Sequence, residues 1–180
     1  MIKKILLINL VFALSMIMSY AKGFIIRQGE VISIRCDTTK VAPIVKSALQ
    51  MVTRDFRVVL SSQLKINKDT GIITTQIIPE FFGKKKEAFC LFASAKGQLH
   101  IMGSDAHGLA YGLLEISRLL GISPWEWWAD AVPIRKSFFS LPEGYCNKQS
   151  PSVEFRGIFI NDEDWGLMPW SSFTYEPWYK

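Results

Sequence analysis

The sequence has little of what metal centres and redox sites require: two histidines and three cysteines in 180 residues. Cys36, Cys90 and Cys146 are spaced neither as a zinc motif nor as a CxxC pair, so no metal and no cofactor is expected. One disulfide would leave one thiol over. Cys90 lies in an apolar run and reads equally well as a buried free thiol. The chain has no internal repeats, no low-complexity tracts, and no apolar run of the roughly 20 residues that a spanning helix needs. Charge is not concentrated either. Lys3 and Lys4 supply part of the formal net charge of +5, and the rest is scattered. The one basic run, Lys84, Lys85 and Lys86 after Gly83, reads as a solvated turn, so no nucleic-acid partner is expected.

What the amino end does have is Lys3 and Lys4, an apolar run from Ile5 to Met18, and then Ser19, Tyr20 and Ala21. This is the pattern of a signal peptide over residues 1–21, with small residues at the cleavage position. The expectation is a secreted or periplasmic protein with no membrane association after cleavage. A retained anchor helix is the alternative, and the Ser-Tyr-Ala ending argues against it.

Hydrophobic periodicity then divides the chain. FIIRQGEVISIRC, from Phe24 to Cys36, predicts two short strands paired around a Gln-Gly-Glu turn. Val41, Ile44, Val45, Ala48, Leu49, Val52, Phe56 and Val59 recur at helical steps, with Pro43 tolerable in the first turn. Gly71 to Ile78 has the β-branched composition of a strand, and Ala88–Ser94 and Gln98–Met102 have hairpin spacing. A second helix is predicted over Ala106–Leu120, stopped by Gly121. Residues 22–136 therefore read as an α/β domain of sheet plus covering helices. Residues 137–150, containing Pro142, Gly144, Asn147, Lys148 and Gln149 without a sustained period, read as a linker. Beyond it, VEFRGIFI from Val153 to Ile160 reads as a buried strand.

Three places can carry chemistry. Asn161, Asp162, Glu163 and Asp164 follow that strand directly, and carboxylates there are not packing residues. At the carboxyl end of a barrel strand such acids serve a substrate site. As a helix cap they would favour the N-terminal dipole, and the residues alone leave both readings open. The segment GSDAHGLAYGLLEISRLLG, Gly103–Gly121, offers Ser104 or Asp105 as a cap and puts Gly108 and Gly112 on one helical face for close packing. Its order is not that of a phosphate loop, and His107 reads as a packed or capping residue instead of a ligand. Trp125, Trp127 and Trp128 read as interface packing, whereas Trp165, beside the acids, reads as a ring platform for a sugar.

The series GSDAHGLAYGLLEISRLLGISPWEWWADAVP followed by PSVEFRGIFINDEDWGLMPW resembles glycoside hydrolase family 115, the xylan α-1,2-glucuronidases, over roughly residues 88–180. It departs from the family at Ala106 and His107, where basic residues are expected. The resemblance implies an N-terminal α/β domain followed, in residues 151–180, by the first strand of a truncated (β/α)8 barrel. It also implies removal of glucuronic acid or its 4-O-methyl ether from xylan with inversion, a xylan-derived oligosaccharide as partner, and compatibility with a homo-oligomer. Asn161, Asp162, Glu163 and Trp165 are the implied substrate-binding residues. The acid and base come from later strands in the family, so no catalytic residue is assigned here. Since such a barrel takes about 250 residues, the chain alone is expected to be inactive. The rival reading is a non-catalytic exported carbohydrate-binding module built on Trp165, and a bare structural domain that binds no sugar is a third.

Overall fold

A computed structural model describes residues 23–126 and 131–157. In chain order the elements are β1 (Phe24–Arg27), β2 (Val31–Arg35), α1 (Pro43–Leu60), β3 (Gln63–Asn67), β4 (Ile73–Ile77), the one-turn α2 (Pro79–Phe82), β5 (Phe89–Ala93), β6 (Leu99–Gly103), α3 (Ala106–Leu120), β7 (Phe138–Leu141) and β8 (Cys146–Gln149). Six strands form one sheet in the order β3-β2-β4-β6-β5-β8, and β1 pairs with β7 in a separate two-stranded sheet. Strands β3, β2, β4 and β6 run parallel, while β5 is antiparallel to both β6 and β8.

Both long helices lie together on one face of the large sheet. Their sequences explain this: α1 buries Val45, Ala48, Leu49, Val52, Phe56 and Val59, a stripe at steps of three and four residues. The stripe joins one core with the buried strand residues Ile32, Ile34, Ile73, Leu91, Leu99 and Ile101. Each such side chain contributes about 1.5–3 kcal/mol on leaving water. The α1 helix starts at Pro43 with no side-chain cap, its missing N–H being one that the first turn would leave unbonded anyway. The α3 helix is capped by Asp105 and stopped by Gly121, whose φ of 95° suits a residue without Cβ.

The other sheet face is largely polar. Alternation puts His100 and Met102 there, opposite to Leu99 and Ile101. His100 Nδ1 lies 2.8 Å from Thr74 Oγ1, and the imidazole stacks on Phe92. Burial and, secondly, the Arg35 charge hold the His100 pKa below its ordinary value. A small apolar cluster of Phe82, Ala88 and Cys90 sits beneath α2.

The strands β5 and β6 form the expected hairpin, and α3 occupies the expected residues. Phe24–Cys36 does supply two strands, but they do not pair with each other. Gln28 N–H donates to Ser137 O and Gly29 N–H to Leu60 O, which sends β1 to β7 and β2 into the large sheet. The stretch 137–150, expected as a linker, contains β7 and β8. Both are only four residues long, and β8 reads Cys-Asn-Lys-Gln, so neither carries a period strong enough to be read locally. In residues 153–157, where a strand was expected to begin, the described backbone is bend and coil. No described strand pairs with it. The rest of that expected strand, residues 158–160, lies outside the described residues, as do residues 1–22. Among the described residues, no helix is long and apolar enough to cross a membrane.

Candidate functional site

Asn161, Asp162, Glu163 and Trp165, the residues expected to meet substrate, lie outside the described residues, as do Trp127 and Trp128. What is described is the segment leading toward them and the way it is held to the α/β domain. Its origin is the cap of α3. Asp105 accepts hydrogen bonds from Gly108 N–H at 2.8 Å, from Glu87 N–H at 2.6 Å and from Ser104 Oγ at 3.0 Å. Burial pushes this carboxyl up, but the N–H groups of Gly108, Glu87 and His107 and the Ser104 hydroxyl outweigh it. The pKa therefore falls below its ordinary value. Ser104 Oγ in turn accepts from Ala88 N–H at 2.9 Å.

Those bonds fix the backbone just before β5, where Glu87 adopts φ 54°, an unusual conformation for a residue with a side chain. So placed, the Glu87 carboxylate takes the guanidinium of Arg156 as an ion pair. Arg156 also donates to Val153 O at 2.8 Å and reaches Tyr111 Oη, on α3, at 3.5 Å. Glu154 lies 4.0 Å from Lys86. The segment 151–157 is thereby laid along the start of β5 and α3, with a cavity of about 660 Å³ between it and Lys84, Lys86 and Glu87.

Gly108 lets α3 approach the start of β5 closely. A Cβ there would stand 2.1 Å from Ala88 O, inside the backbone itself. At Gly112 it would meet Ile101 Cγ2 at 2.8 Å. Close packing is thus what both glycines of this helix provide. His107 is exposed and lends its backbone N–H to Asp105.

A second cavity, of about 470 Å³, opens between α1, α3 and the Ser123–Glu126 turn. Its acids are engaged in ion pairs. Asp55, 1% exposed, lies 2.7 Å from Arg54 Nη2, which also meets Glu126 at 2.5 Å. Glu115 takes both Arg118 nitrogens, at 2.7 and 2.6 Å, and accepts from Asn147 Nδ2 at 2.7 Å. These contacts make Glu115 a clamp between α3 and β8, a structural role for a buried acid that must be paired. Trp125, in the same turn, is 63% exposed within this chain. Among the described residues, no group of three or more His, Cys, Asp or Glu could hold a metal ion.

The chemistry of the described part is therefore positional. It brings Asp105, Glu87 and Arg156 together into a tether ahead of the expected acids. Glu87 and Arg156 carry no sequence signal of this role, because the pairing depends on a left-handed backbone at Glu87. A cap was visible in the Ser-Asp-Ala-His-Gly string, which left Ser104 and Asp105 open; the structure assigns it to Asp105.

Comparison with known proteins covers both ends of this arrangement. The sequence model of glycosyl hydrolase family 115 matches residues 148–180. Among solved structures, a family 115 4-O-methyl-α-glucuronidase with specificity for decorated arabinogalactans superposes with a TM-score of 0.77 at 49% identity, over 86% of this chain and 22% of that one. A Streptomyces plicatus β-hexosaminidase superposes at 0.51 with 18% identity, over 73% of this chain and 24% of that one, a likeness of fold alone. The chain spans less than a quarter of the length of either. None of the curated proteins matches it.

Proposed function

The chain belongs to glycosyl hydrolase family 115, and from that premise we propose that it is the leading part of an exported α-glucuronidase. The proposed reaction removes 4-O-methylglucuronic acid, or glucuronic acid, from side chains of a plant polysaccharide with inversion at the anomeric carbon. The observation that carries this reading is 49% identity to a 4-O-methyl-α-glucuronidase across 86% of the chain. Xylan is the proposed backbone, and decorated arabinogalactan, the specificity of that relative, is the competing one.

Inverting hydrolysis needs a carboxylic acid to protonate the leaving oxygen and a carboxylate to activate water, about 6.5–9.5 Å apart. Four of the described acids are committed elsewhere: Asp105 to N–H donors, and Asp55, Glu87 and Glu115 to arginines. In this proposal Asn161, Asp162, Glu163 and Trp165 line the sugar pocket, the acid and base stand on barrel strands beyond Lys180, and the chain by itself turns nothing over. The α/β domain then works as the platform against which the barrel entrance is set, through Arg156 and Glu87.

The test compares the chain alone with the chain joined in frame to the remaining part of the 49%-identical relative. Release of 4-O-methylglucuronic acid is measured on glucuronoxylan and arabinogalactan oligosaccharides, with the product anomer followed by NMR. The chain alone should release none. The joined protein should release it with inverted configuration, and Asp162→Asn should lower its kcat/KM at least tenfold. A folded joined protein indifferent to Asp162→Asn would remove the pocket assignment. Sugar binding by the chain alone, lost on Trp165→Ala, would favour the carbohydrate-binding module.

A further inference from the structure

Cys90 and Cys146 are far apart in sequence but adjacent on the sheet. In the β5–β8 ladder Cys90 faces Lys148 and Phe92 faces Cys146, so the two cysteines are diagonal neighbours. Asn147 points to the helices, where it meets Glu115, so by alternation Cys146 lies on the opposite face with Cys90. Their Sγ atoms stand 3.7 Å apart. Cys36, the third cysteine, follows β2, and β4 and β6 separate that strand from β5.

We propose that Cys90 and Cys146 form a disulfide that staples the edge strand β8 to the sheet, with a small-molecule or protein disulfide as the oxidant. The exposed Cys146 thiolate attacks one sulfur of the donor, forming a mixed disulfide and expelling the first donor thiolate, which takes up the proton Cys146 gave up. Cys90 then loses its proton and attacks Cys146 Sγ. This forms the Cys90–Cys146 bond and breaks the mixed disulfide, expelling the second donor thiolate, which takes up that proton. Two protein thiols are oxidised by two electrons, and one donor disulfide is reduced to two thiols.

The order of attack follows from the environments. Cys146 is exposed, whereas Cys90 is buried, and burial, then Cys146 itself, push its thiol up to about 11. The first step is therefore open to solvent, and the second is slow at neutral pH and accelerates as the solution becomes alkaline. Closing the gap to about 2 Å requires β8 to shift. It can do so: β8 is an edge strand of four residues entered from Gly144, which sits at φ 74°. The bond would close a long loop containing β6 and α3, and so restrict the unfolded chain more than the folded one.

The test treats the full chain with oxidised glutathione, blocks remaining thiols with an alkylating reagent, and maps peptides without reduction. A peptide pair joining Cys90 to Cys146 is expected, with free thiols falling from three to one. Cys36→Ser should leave the bridge intact and Cys146→Ser should abolish it. The oxidised protein should unfold about 5 °C above the dithiothreitol-treated one. Three alkylated thiols after exhaustive treatment, or a bridge that includes Cys36, would overturn the proposal. Because the wild-type map reads the linkage directly, a poorly folding variant does not blur the result. A bridged protein with an unmoved Tm would overturn the stapling role.

Discussion

The guanidinium of Arg156 closes on the carboxylate of Glu87, a residue sixty-nine positions earlier in the chain. The contact joins the segment that precedes the expected substrate residues Asn161, Asp162 and Glu163 to the residues that open β5. Glu87 is available for it because Asp105 holds its N–H and so fixes its left-handed backbone.

Breaking this tether should free the segment without unfolding the domain. Both partners are about one third exposed, so the pair adds little to global stability. Glu87→Gln and Arg156→Ala are each expected to speed amide exchange in residues 151–157 severalfold while Tm stays within about 2 °C of wild type. Hydrogen exchange with peptide resolution checks this. Unchanged protection of 151–157 would show that the ion pair holds nothing.

Gly108→Ala should be far more costly. The added methyl would stand 2.1 Å from Ala88 O, and both groups belong to backbone that must move apart for it to fit. A loss of about 3 kcal/mol is expected in urea unfolding, despite the better helix propensity of alanine. A neutral or stabilising result would mean that α3 and the start of β5 are not in this close contact.

Asp105 should give the protein an acid-sensitive component of stability. Its folded pKa lies below the ordinary 3.8, so the unfolded chain takes up the proton first as pH falls. The contribution is complete above about pH 5, wanes from there, and is gone once pH drops through the lowered folded value. Asp105→Ala should cost about 2 kcal/mol at pH 7 through the orphaned Gly108 and Glu87 N–H groups. Asp105→Asn keeps an acceptor, so it should cost less and flatten the stability profile between pH 5 and pH 3. Denaturant melts across that range decide the matter, and an unchanged slope in Asp105→Asn would assign the acid sensitivity to another group.

The parts of the fold that were legible are those decided locally. The helix from Ala106 to Leu120 carries its own cap, stripe and terminator, and the β5–β6 hairpin needs only the Ala-Lys-Gly turn between its strands. Partnership over distance left no such mark. Val31–Arg35 reads as a strand, but nothing in it says that its neighbours are Gln63–Asn67 and Ile73–Ile77 and not Phe24–Arg27. Gln63–Asn67 itself escaped notice because an edge strand with one buried residue, Leu64, has almost no apolar signal. The cap of the candidate site was legible to within Ser104 or Asp105, and the Glu87–Arg156 pair was not, since it depends on a backbone angle and not on residue type.

The pairing of β1 with β7 has a consequence for biosynthesis. Phe24 and Ile26 leave the ribosome early, but Leu141 and Phe139, the strand residues opposite them, arrive only after both long helices have been made. Until then β1 has no strand partner, and the edge contact of Phe24 with Phe139 cannot form. The arrival of Phe138–Leu141 is thus the event that completes the pairing of β1, however early its own residues emerge.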